Sequence, residues 1–149
     1  MTDMHAGLRD WDHPPYHPEH TQIFFTYYIQ RFLKAQERAL GPERIQERTQ
    51  ICLAALDRYH QNGNLDALLQ NFFEFADLDI RQRRVILLFY GLQIRDTHFS
   101  GDGHHYTLTE ISERKRIAYG EVEKRMRRAL EKIYASQTFL HLEQLLKSS

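Results

Sequence analysis

The chain has a single cysteine among its 149 residues, so Cys52 cannot close an internal disulfide. Cys52 sits in an apolar helical pattern, the setting of a small core residue rather than of a nucleophile. Long hydrophobic runs are missing as well. The stretch Val85-Ile86-Leu87-Leu88-Phe89-Tyr90 is far too short to span a bilayer, so no membrane partner is expected. The N-terminus shows no basic region followed by an apolar stretch. No secretory signal is therefore expected, and the expected compartment is the cytoplasm. Glycine-rich phosphate loops, nucleophile elbows and paired-carboxylate motifs are lacking, so neither an enzyme nor a cofactor is expected. Strand-like alternation of useful length and internal repeats are lacking too, which leaves an all-α class.

What is present is enough to fold. Hydrophobic residues make up 42% and aromatics 12%, sufficient for a buried core. The formal net charge of zero hides an asymmetry. Residues 1–80 carry 7 Lys and Arg against 12 Asp and Glu, whereas residues 81–149 carry 13 against 8. The basic half is the one suited to a polyanionic partner.

Residues 1–20, with "DWDHPPYHPEH", read as an extended arm. His13, His17 and His20 with Asp10 and Asp12 are metal-ligand types. Pro14, Pro15 and Pro18 keep a regular helix from aligning them, and nothing supplies a fourth ligand, so no metal site is expected. Residues 21–40 fit an amphipathic helix with an aromatic face of Ile23, Phe24, Tyr27, Tyr28, Phe32, Leu33 and Ala39. Gly41 and Pro42 end it and open a second helix to Gln61, burying Ile45, Ile51, Cys52, Leu56 and Tyr59. After "QNGN", Asn64 is placed to cap a third, with Leu65, Leu68, Leu69, Phe72 and Phe73 inward. Residues 21–77 thus read as a helical interaction bundle, able to form homo-oligomers or to dock on a partner. Asp77 or Asp79 caps the next helix, "IRQRRVILLFYG", closed by Gly91. The histidines of the following loop, His98, His104 and His105, read with Asp102 as a polar turn. "SQTFLHLEQLL" is a last helix.

Residues 106–133, "YTLTEISERKRIAYGEVEKRMRRALEKI", hold two short helices with a tight break. Thr107 and Glu110 have capping-box spacing. Val122, Met126, Ala129, Leu130 and Ile133 form one narrow apolar stripe, expected to be buried with Leu108 and Ile111. The rest of the second helix is rich in Lys and Arg. A narrow buried stripe with a cationic outer surface is what a helix entering the major groove needs, although a plain solvated face has the same pattern.

Together with "RQRRVILLFYGL", this stretch resembles the fourth conserved region of bacterial sigma factors over residues 80–134. The matching features are Tyr90-Gly91-Leu92, Thr107-Leu108-Thr109-Glu110-Ile111, Val122, and Ala129-Leu130-Glu131-Lys132-Ile133. The resemblance implies a helix-turn-helix domain over residues 78–149 that binds double-stranded DNA. On it, Lys124, Arg125, Arg127, Arg128 and Lys132 would contact phosphates or bases, and Tyr119 would lie near base edges. It equally implies a protein contact, because this region of sigma factors also binds a flap of RNA polymerase. The chain departs from the family at several positions. Lys115 and Arg116 replace an apolar residue and glycine before the turn, and Tyr119 and Gly120 replace an Arg-Glu pair that reads bases. Lys124 stands for a glutamine, and Arg125 for an apolar residue whose role passes to Met126. With about 80 residues before the match, the expectation is a sigma-like fragment, not a stand-alone sigma factor. Its expected function is transcription regulation through DNA, with a polymerase-binding modulator that reads no DNA as the alternative.

Overall fold

The computed structural model describes residues 18–94 and 104–148. Every regular element among them is α-helical: α1 (Pro18–Lys34), α2 (Glu37–Leu40), α3 (Pro42–Gln61), α4 (Leu65–Phe75), α5 (Ile80–Tyr90), α6 (Leu108–Lys115), α7 (Tyr119–Ile133) and α8 (Ser136–Lys147). The histidine- and aspartate-bearing positions 10, 12, 13, 17, 98 and 102 lie outside the described residues.

Local chemistry sets most of the boundaries. Asp79 caps α5, its Oδ1 accepting from the Gln82 amide at 2.8 Å while the Gln82 Oε1 accepts from the Asp79 amide at 3.1 Å. Thr107 and Glu110 make the same reciprocal pair at the start of α6, at 3.1 and 2.9 Å. Gly91 ends α5 in the left-handed region (φ 69°), and a β-carbon there would meet His105 atoms at 3.4 Å. Asn64 makes no side-chain cap; only its carbonyl serves α4, accepting from the Leu68 amide.

The first aromatic helix differs from its sequence reading. It begins at Pro18, inside the expected arm, and breaks after Lys34 before the four-residue α2. Its inward face is Phe24, Phe25, Tyr28, Ile29 and Leu33, whereas Ile23 and Tyr27 are 57% and 64% exposed. Apolar residues cover more than one face of this helix, so periodicity alone allows either stripe. Packing along α3 selects the one that contains Phe25 and Ile29. Ile51 likewise points outward, at 45% exposure.

One continuous apolar core joins these helices. Phe72 of α4 meets the rings of Phe25 and Tyr28 edge-on, and Phe32 stacks on Phe139 with centroids 4.2 Å apart. The chain end returns to the first half, because Phe139, Leu142 and Leu146 of α8 enter the core and α8 packs on α3 and α4. Arg48 of α3 grips the buried Glu143 of α8 with two hydrogen bonds, at 2.9 and 2.7 Å. Cys52 is fully buried nearby, and burial pushes its thiol up to about 11, with the Glu143 charge adding to the rise. At that value the thiol stays protonated and inert at neutral pH. No described helix is long and apolar enough to cross a membrane.

Candidate nucleic-acid interface

Two helices and the turn between them carry the residues singled out from the sequence. α6 ends at Arg116, which takes the left-handed conformation (φ 55°, ψ 46°). A β-carbon in that region costs about 1 kcal/mol relative to glycine. The turn is held in compensation. The Ser112 carbonyl accepts from the Arg116 and Ile117 amides, and the Ser112 hydroxyl donates to the Ile117 carbonyl at 2.6 Å. An exposed cation therefore stands at the tip of the turn. The Arg114 guanidinium lies 4.9 Å from the centre of the buried Tyr106 ring.

α7 divides into stripes because its period is 3.6 residues. Val122, Met126, Ala129 and Ile133 are buried, and Ile111 of α6 packs with them. Leu108 and Leu130, expected to be buried, are only half-buried. The opposite stripe is Lys124, Arg127, Arg128 and Glu131, all exposed. None of its three cations is bonded to a carboxylate among the described residues. Glu123 and Glu131 share the outer surface of the helix, so it is mixed in sign rather than uniformly basic.

The two remaining cations are used internally. Arg125 donates from Nε to Glu121 Oε2 at 2.9 Å, one helical turn earlier. This hydrogen bond, with the charges of Arg125, Lys124 and Arg81, holds the Glu121 carboxyl below its ordinary value. Lys132 donates from Nζ to the Asp77 carbonyl at 2.7 Å and to Gln82 Oε1 at 3.0 Å, tying the end of α7 to the α4–α5 junction. The sequence-predicted set thus separates into outward Lys124, Arg127 and Arg128, self-paired Arg125, and Lys132 engaged with the protein.

The N-terminus of α7 is open. Ala118 at the N-cap has no side chain to bond the first-turn amides, Tyr119 is 47% exposed, and nothing lies within 4 Å of a β-carbon built on Gly120. The exposed Arg116, at the turn before α7, is a further cation that the set singled out from the sequence lacks. The signal that marks it is a basic residue beside the break between two helices. A shallow, largely apolar cleft along the flank of α7 is lined by Leu108, Met126, Leu130 and Tyr134, together with Glu123, Arg127 and Glu131.

Aromatic side chains tie this pair of helices to α1. The buried Tyr28 hydroxyl donates to the Ile133 carbonyl at 2.6 Å, satisfying one of the acceptors left over at the end of α7. Burial, with Tyr134 nearby, raises its phenol well above the ordinary value. No protein-family model, curated protein or solved structure matches this chain.

Proposed function

We propose that this chain is a DNA-binding transcription regulator in which α6 and α7 form a helix-turn-helix and α7 lies in the major groove of double-stranded DNA. The observation that carries the reading is the exposed stripe of Lys124, Arg127 and Arg128, set back to back with the buried stripe of the same helix. Phosphates on both sides of the groove meet these cations, and Arg116 at the turn adds another. Such contacts supply affinity without sequence choice. Tyr119, at the open N-terminus of α7, lies where a recognition helix meets base edges. Gly120 offers no side chain beside it, so discrimination between sequences is weaker than for an Arg-Glu pair. The resemblance to the fourth sigma region supports the same assignment.

A second reading, an RNA polymerase-binding modulator that reads no DNA, is favoured by the apolar cleft beside α7. Leu108, Met126 and Leu130 there suit a protein contact better than a phosphate backbone. Fluorescence anisotropy of pooled promoter fragments over a salt series tests the first reading, beside a pull-down of polymerase with and without nuclease. Binding that strengthens steeply as salt falls supports the DNA reading. No binding at low salt, with polymerase retained after nuclease, replaces it by the second.

A further inference from the structure

A groove of about 480 Å³ opens between α1, the end of α5 and the last turn of α7. Its floor and walls are aromatic: Phe24 and Tyr27 from α1, Tyr90 from α5, and Tyr134 just beyond α7. Phe24 meets Tyr90 edge-on at 5.0 Å, so the floor is rigidly packed. The rim is open, with Tyr27 64% and Tyr134 37% exposed. Exposed rings gathered around a concavity of this volume are the usual anatomy of a small-molecule site.

Charge narrows the ligand. Among the described residues no acidic side chain lines the groove, and its one Lys or Arg is Arg31, on the outer stripe of α1 with Tyr27 one turn before it; His20 and His105 line it as well. Arg31 is exposed and bonded to no carboxylate among the described residues, whereas its neighbour Lys34 pairs with Glu37 at 3.2 Å. Arg31 shares the groove lining with Tyr90 and Tyr134, and its charge opposes the rise that burial gives both phenols. A guanidinium bonded to no carboxylate among the described residues, lining the same groove as Tyr90 and Tyr134, is a donor for a single anionic group, and the aromatic rings take an apolar body.

We propose that this groove binds a small anionic amphiphile, an apolar ring system or chain carrying one carboxylate or sulfonate, with Arg31 holding the anion. A bare phosphate would leave the aromatic floor unused, and a polyanion would find a single guanidinium where it needs several permanent cations. The site is separate from the exposed cation stripe of α7 and stands whether or not that stripe binds DNA.

The probe is 1-anilinonaphthalene-8-sulfonate, titrated into the full chain and read by its fluorescence. Saturable binding at one site per chain is expected. Arg31→Gln weakens it about tenfold, Arg31→Lys recovers part of the loss, and the uncharged N-phenyl-1-naphthylamine binds both forms alike. Tyr27→Ser weakens both dyes, whereas Leu140→Ser, at an exposed apolar residue of α8, changes neither. Unlabelled 2-naphthoate and dodecanoate then compete with the sulfonate, and the stronger competitor identifies a ring or a chain. The proposal is overturned if binding does not saturate, if Arg31→Gln leaves it unchanged, if Leu140→Ser removes it, or if neither carboxylate competes. Dimerisation that closes the site as protein concentration rises, seen by light scattering, assigns the groove to a second copy instead.

Discussion

The Lys132 ammonium group and the Gln82 side-chain carbonyl are 3.0 Å apart, in the same place where Gln82 completes the cap of α5. The Asp77 carbonyl, 2.7 Å from the same ammonium, belongs to a residue held at φ 60°. One lysine on α7 thereby braces both the strained residue and the cap at the α4–α5 junction. Its ammonium donates to two uncharged oxygens, which fix its position while it keeps its charge.

Lys132→Met removes these bonds but keeps the aliphatic stem. The site is half-exposed, so the expected loss is about 1 kcal/mol of stability. For a chain of this size that is about 3 °C in Tm. Thermal melting by circular dichroism checks it. A salt slope of DNA binding that flattens with an unchanged Tm would return Lys132 to the contact surface.

Arg127→Ala and Arg128→Ala should each flatten the log–log salt dependence of DNA binding by about one unit, with little change in sequence preference. Arg125→Ala should flatten it less, because Glu121 already neutralises that guanidinium. Anisotropy titrations at several salt concentrations separate the cases. Equal slopes for all three variants and the parent chain would remove the exposed stripe from the interface.

The open first turn of α7 allows a test with no steric penalty. Gly120→Ala should stabilise the protein by about 0.5–1 kcal/mol, since the helix gains a better former and the new methyl meets nothing. Tyr119→Ala should alter preference between promoter fragments more than the salt slope, because contacts at base edges choose sequence. Competition between fragments at fixed salt reads the second effect, and an unchanged ranking would take Tyr119 away from the bases.

The Arg48–Glu143 pair predicts an acid limb in stability. Burial pushes the Glu143 carboxyl up, but the hydrogen bond and charge of Arg48, with the charge of Lys147, outweigh it and hold the group below its ordinary 4.5. A folded pKa below the unfolded one stabilises the protein above about pH 4.5, and the contribution is lost as pH falls through the folded value. Tm should therefore drop on acidification through that range. Arg48→Met leaves the carboxylate buried without its main partner, costing about 3 kcal/mol near neutral pH and flattening the acid limb. A limb of unchanged steepness in the variant would assign it to other carboxylates.

Much of this architecture is legible in the sequence because it is local. Helix placement follows from periodicity and from glycine and proline at the breaks, and the Thr107–Glu110 box spans a single helical turn. The α7 stripe of Val122, Met126, Ala129 and Ile133 can be read residue by residue, since a helix repeats every 3.6 residues whatever surrounds it. Nothing local separates Asp77 from Asp79 as a cap, or the Phe25–Ile29 face of α1 from the Ile23–Tyr27 face. Those choices depend on what the helix packs against. The bonds of Lys132 and Glu143 are set in the same way, by groups 50 to 95 residues distant in the chain. A charged side chain looks alike in sequence whether it faces solvent, a carboxylate or a backbone carbonyl. Only the folded chain supplies the neighbour that decides which of these its charge serves.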